Sequence, residues 1–105
     1  MNTNYTFIPD LANEAEPPAN GILSRTLYQD DQIKVVLFGF GRGEELSEHT
    51  ASKPAVLHII KGEGTVGLGK DQQSVQAGSW IHMPAGLRHS IRATTPLVLL
   101  LALLK

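Results

Sequence analysis

Four histidines, His49, His58, His82 and His89, carry most of the chemistry this chain can perform. An imidazole ligates a metal through either ring nitrogen, or serves as a general base near neutral pH. No cysteine competes with them, so thiolate nucleophiles, iron–sulfur clusters and thiolate zinc sites are excluded. Carboxylates offer the histidines little help: Glu48 adjoins His49 and would face the other way on a strand, while Glu44 and Glu45 read as solvent-exposed.

Two imidazoles alone hold a divalent ion weakly, because tight sites supply three or four protein ligands. Four meeting at one place would suit iron, manganese, nickel or zinc. As a general base, a histidine needs a partner to orient it, and as half of an acid–base pair it needs an acid. Only Tyr5 and Tyr28 offer a phenol, and neither can be set opposite a histidine from sequence. Ser47, Ser79 and Ser90 lie near histidines along the chain, which says nothing about triad geometry. Gly62-Glu63-Gly64-Thr65-Val66-Gly67 spells the dinucleotide fingerprint. That chemistry needs a helix N-terminus after the glycines, whereas "LGKDQQSVQAG" offers a turn and a strand. A hairpin is expected there, with no nucleotide cofactor.

Short segments rich in β-branched and apolar residues must position these side chains. They run from "ILSRTLYQ" and "QIKVVLFGF" through "EELSEH", "AVLHIIK", "GTVGLG", "QSVQAG", "SWIHMP" and "HSIRA" to "PLVLLLALL". Turn signals such as "GRG", "ASKP", "GEG", "GKDQ", "PAG" and "TTP" separate them. About nine such strands predict an antiparallel sandwich or barrel. Residues 10–21, "DLANEAEPPANG", read as a loop, preceded by a possible short edge strand at Tyr5, Phe7 and Ile8. The chain therefore divides into an arm, 1–20, with no evident home on its own barrel and expected against a partner subunit, and one barrel domain, 21–105.

Two spaced patterns give the barrel a type. Gly43 is followed after five residues by His49 and, after twelve more, by Gly62; Gly78 is followed after five residues by Pro84, then by Gly86 and His89. This resembles the cupin superfamily, in particular its small single-domain, RmlC-like members, whose two motifs have these glycines, this proline and these spacings. The resemblance implies an all-β fold, a double-stranded β-helix or jelly-roll barrel, with a pocket at its wider end. In metal-binding cupins the first motif supplies two histidines and a glutamate, and the second one histidine. His49 and His89 occupy the first and last of those positions, while Ala51 and Ala55 stand at the other two and Ala93 replaces a closing asparagine. The resemblance thus implies His49 and His89 as metal ligands, with His82 and His58 as additional candidates. Position 58 is three residues from position 55, so on a regular strand His58 faces away from the barrel interior. The Pro84–Gly86 turn leaves the facing of His82 open. Ala51, Ala55, Trp80, Met83 and Phe38 are candidates to line the pocket.

Composition bounds the function. The chain has 105 residues, 42% hydrophobic, and a formal net charge of −1, with no run of Lys or Arg. One core is affordable, and no electrostatic footprint for nucleic acid or an anionic membrane exists. "PLVLLLALL" falls well short of the roughly 20 apolar residues of a spanning helix. The N-terminus lacks a basic start and apolar run, so a cytoplasmic protein is expected. Apolar strand faces and the arm suggest a homodimer. The functional expectation is small-molecule binding in the barrel, with or without one divalent transition metal. Two alternatives stand beside it: a metal-dependent enzyme of dioxygenase or isomerase type using His49 and His89, and a ligand-sensing regulatory module.

Overall fold

A computed structural model of the chain describes residues 4–105. Among these, nine strands follow a 3-10 turn at Leu11–Asn13: β1 (Ile22–Gln29), β2 (Ile33–Phe40), β3 (Glu45–His49), β4 (Ala55–Lys61), β5 (Glu63–Leu68), β6 (Asp71–Gln76), β7 (Trp80–Met83), β8 (His89–Ala93) and β9 (Leu97–Leu104). They form two antiparallel sheets, a five-stranded one ordered β1-β2-β9-β4-β7 and a four-stranded one ordered β3-β8-β5-β6. This is the expected jelly roll, and the arm contributes no strand at Tyr5–Ile8.

The apolar run near the C-terminus shows why these residues make this element. β9 lies between β2 and β4 and is paired along its length with both. Its odd positions, Leu97, Leu99, Leu101 and Leu103, face the core shared with Phe40, Leu57, Ile59, Val66 and Ile91. Its even positions face the outside of the sheet, where Val98 is fully buried with Leu37 and Ala15. A central strand covered on both faces needs apolar residues at every position. Fully burying one such side chain is worth about 1.5–3 kcal/mol.

What covers the outer face is the arm itself. Ala15 packs on Leu37 and Val98, with Leu27, Ile60 and Leu100 around them. Arg25 on β1 binds the Glu14 carbonyl at 3.0 Å. The fit is close enough that a Cβ on Gly41 would lie 2.8 Å from the Pro18 carbonyl oxygen. The arm, expected to lack a home on its own barrel, therefore has one over residues 14–19; the apolar outer face of β2 and β9 supplies it. Tyr5 and Phe7, further out, stay exposed.

The fingerprint-like glycines have a backbone explanation. Gly62 turns β4 into β5 with φ +90, and a Cβ there would collide with the Pro96 carbonyl. A Cβ on Gly64 would meet the Arg92 carbonyl, and one on Gly67 the Ser90 hydroxyl at 2.5 Å. All three permit close approach between strands, and no helix follows them.

The links between strands gather at two ends. At one end the 50–54 and 84–88 segments are joined by Gly86 N–H donating to the Ala51 carbonyl at 2.8 Å. The β5–β6 turn joins them through Gly69 N–H to the Arg88 carbonyl at 2.7 Å, and Lys105 N–H reaches Gln32 in the β1–β2 turn at 2.8 Å. This end carries the histidine pair and is the mouth described below.

Candidate functional site at the barrel mouth

β3 and β8 pair antiparallel, and their register sets His49 directly opposite His89. Residues directly opposite on an antiparallel pair project to the same face. On β8, His89, Ile91 and Ala93 are all buried, so that face is the interior. The two rings meet edge to face, centroids 4.1 Å apart and planes at 61°. His89 is 7% exposed, the one buried polar or charged residue among those described, and His49 lies outside it towards solvent.

Both rings are held the same way. His49 Nδ1 lies 2.8 Å from the Ser47 carbonyl oxygen, and His89 Nδ1 lies 3.0 Å from that of Leu87. A carbonyl oxygen only accepts, so each Nδ1 carries the proton and donates it. In the neutral ring the lone pair is then on Nε2, the nitrogen left without a partner. Neighbours on the same sheet are Leu68, opposite His89 on β5, and Leu46, opposite Ile91 on β8. From the other sheet, Ala55 stands at the start of β4, opposite both Met83 and Leu103. Ala55 and Met83 are each 2% exposed.

Ala55 faces inward at the position where the resemblance puts a glutamate, and Ala51 sits in the adjoining loop, tied to Gly86. Met83 and Phe38, candidates to line the pocket, pack in the core. Trp80, also a candidate to line the pocket, does not face the barrel interior. Met83 points inward, so alternation along β7 sends His82 and Trp80 outward, and Trp80 is 63% exposed. His58, opposite Trp80 and Leu100, shares that outer face, as its spacing from Ala55 requires. His82 and His58 are thus separated from the inner pair by the thickness of the five-stranded sheet. Among the described residues no group of three or more His, Cys, Asp or Glu could hold a metal ion. The donor set at the mouth is two imidazoles with alanine at the other two family positions. It does not fit an ion held by protein ligands alone.

Two residues of the mouth were missed in the sequence reading, Lys34 and Leu103. Both follow from parity: Lys34 is an even number of residues from the core residue Phe40, and Leu103 from Leu99.

The family model for the cupin domain matches residues 36–103, and the chain belongs to that family. It is similar over its whole length to a conserved Streptococcus pyogenes protein of unknown function, at 28% identity, 92% coverage of that chain and a TM-score of 0.86. A cupin superfamily protein from Desulfitobacterium hafniense is 25% identical over 99% of this chain and 95% of its own, with a TM-score of 0.87. An RmlC-like cupin from Shewanella frigidimarina shares the fold at 18% identity, covering 98% of this chain and 91% of that one, with a TM-score of 0.80. No curated protein matches the sequence. No helix among the described residues is long and apolar enough to cross a membrane.

Proposed function

We propose that this cupin binds a small organic molecule at its barrel mouth, with the Nε2 atoms of His49 and His89 as its hydrogen-bond acceptors. The observation that carries the reading is the anchoring of both rings through Nδ1, which leaves two adjacent acceptors fixed in direction and unpartnered. Pockets that take small ligands combine an apolar wall with a few oriented polar groups. Leu68, Met83, Leu103 and Ala55 supply the wall. A ligand with an O–H or N–H can donate to one imidazole and lay its carbon skeleton against the wall. The reading assigns no bond-making step, since neither a nucleophile nor a third metal donor joins the pair.

The test is a nitrogen-detected NMR titration of the histidine rings with a set of small alcohols, amides and acids. Binding should move at least one Nε2 resonance, and alanine at the ring that moves should weaken it about tenfold, the worth of one good hydrogen bond. Ligands that bind without moving either ring, or with unchanged affinity in both variants, would show that the mouth is not the site.

A further inference from the structure

The innermost row of residues at the mouth can be followed from strand to strand. Gln29 on β1 stands opposite Lys34 on β2, Lys34 opposite Leu103 on β9, Leu103 opposite Ala55 on β4, and Ala55 opposite Met83 on β7. β2 pairs with β9 without irregularity from Ile33 to Phe40, so Lys34 shares its face with Phe38 and Phe40, both packed in the core. The lysine therefore belongs to the inner face. The crossing at residues 41–44 carries the chain from the end of β2 to the start of β3. The start of β2 and the end of β3 consequently lie at the same end of the barrel, which brings Lys34 and His49 to one mouth.

Lys34 is half-buried, and no ion pair to it forms among the described residues; the two ion pairs there are Arg25–Glu14 and Arg88–Glu48. The other cations near the histidines lie elsewhere. Arg88 is engaged by Glu48 at 3.4 Å, and Arg92 stands opposite Glu45 and Thr65 on the outer face of the four-stranded sheet. This half-buried lysine, in a row that also holds Gln29, Leu103, Ala55 and Met83, has no carboxylate partner among the described residues, although lysines withdrawn from the surface ordinarily have one. The acidic group in the facing row is Asp71, opposite Leu68 and three strands from His49 in the four-stranded sheet. Lys34 and Asp71 thus belong to the inner rows of the two facing sheets at this mouth.

We infer that Lys34 selects the charge of the ligand, and that the mouth takes a small organic anion: a carboxylate held by Lys34, a hydroxyl or N–H donated to His49 or His89, and an aliphatic body against Leu103, Met83 and Leu68. The inference rests on the small-molecule reading above and adds the chemical class. A charge-assisted hydrogen bond to a carboxylate is about twice as strong as a neutral one, and Asp71 disfavours a second acidic end. A hydroxy monocarboxylate meets every group in the row.

Titration with 2-hydroxy-4-methylpentanoate and with its neutral amide tests this, read on the ring resonances of His49 and His89. The acid should bind at least tenfold more tightly than the amide. Lys34→Gln should erase that preference, Lys34→Arg should restore it, and Lys61→Gln, at the far end of β4, should leave it intact; thermal melts confirm that each variant is folded. Equal binding of acid and amide, or a preference that survives Lys34→Gln, overturns the charge-selecting role while the small-molecule reading stands. Ring resonances that move with neither compound, nor with any member of the wider set, overturn both.

Discussion

Two pairs of histidines sit on adjacent antiparallel strands of this barrel, and they have opposite fates. His49 and His89 are directly opposed on β3 and β8, face the interior and touch edge to face. His58 and His82, on β4 and β7, are offset by two residue pairs, each facing an apolar partner, Trp80 and Val56 respectively. Both rings of the inner pair are oriented by a backbone carbonyl two residues earlier; no hydrogen bond orients either outer ring among the described residues. The difference is one of facing and anchoring, since residue type and strand pairing are alike. An imidazole tied down through one nitrogen presents the other in a fixed direction; without such an anchor it is a polar side chain on a sheet surface.

Neighbouring residues on β7 give the sharpest way to break this contrast. Met83 is 2% exposed and packs in the core, whereas His82, one residue before it, is exposed. Met83→Ala should cost about 2–5 kcal/mol in chemical denaturation, from lost burial and the cavity left behind. His82→Ala should stay within about 0.5 kcal/mol, as surface changes do. A loss at His82 approaching that at Met83 would mean that β7 is turned over and the inner and outer assignments are exchanged.

The outer face has its own core, and a smaller effect tests it. Ala15, 4% exposed, is wedged between Leu37 and Val98. Ala15→Asp places a carboxylate against two fully buried aliphatic side chains and should destabilise the folded chain by roughly 2 kcal/mol. The same substitution would cost almost nothing if the arm left its own sheet in solution. Denaturation midpoints at several protein concentrations also separate an arm on its own barrel from one exchanged with a second copy, because exchange makes the midpoint depend on concentration.

Particular residues show what could be read in advance. The meeting of His49 and His89 was legible only through the family resemblance carried by Gly43, Gly62, Gly78, Pro84 and Gly86, and the pairing of β3 with β8 bears it out. The outward facing of His58 was legible from parity with Ala55, and it holds because the irregularity in β4 falls later, between Ile59 and Lys61. His82 was not legible from His89, because the turn at residues 84–88 destroys parity between their strands; the apolar Met83 beside it was the better guide. Trp80 misled because a large aromatic side chain reads as core, although β7 is an edge strand with an open outer face. The path of the arm had no periodic signal at all. Its Pro17-Pro18 stretch packs through shape against Gly39 on β2 and Gly41 just beyond it, which no pattern of hydrophobic residues reveals.

The smallest expected effect lies in the β1–β2 turn at the rim of the same mouth. Tyr28 donates its hydroxyl to Asp30 Oδ2 at 2.6 Å, and the backbone N–H groups of Gln32 and Ile33 donate to Oδ1 at 2.7 and 2.9 Å. The Tyr28 hydroxyl first, and then these two amides, hold the Asp30 carboxyl below the usual carboxylate range, while the same bond raises the Tyr28 phenol above its own. With the folded-state pKa of Asp30 depressed, its contribution to stability is complete above the unfolded value near ~4 and is lost as pH falls through the folded value. For Tyr28 the sign reverses: the contribution is present below the ordinary phenol range near ~10 and is lost as pH rises through the raised value. Both groups are exposed, so the effect on global stability is slight and the site-specific titration is the proper measurement. A carbon-detected titration of Asp30 should give a midpoint below that of a free aspartate, and Tyr28→Phe should move it upward. An unmoved midpoint would transfer the cause to the two backbone amides. Either way the turn satisfies its acceptors internally, a residue or two from Lys34, whereas the Nε2 atoms of His49 and His89 and the Lys34 ammonium have no hydrogen-bond or ion-pair partner among the described residues.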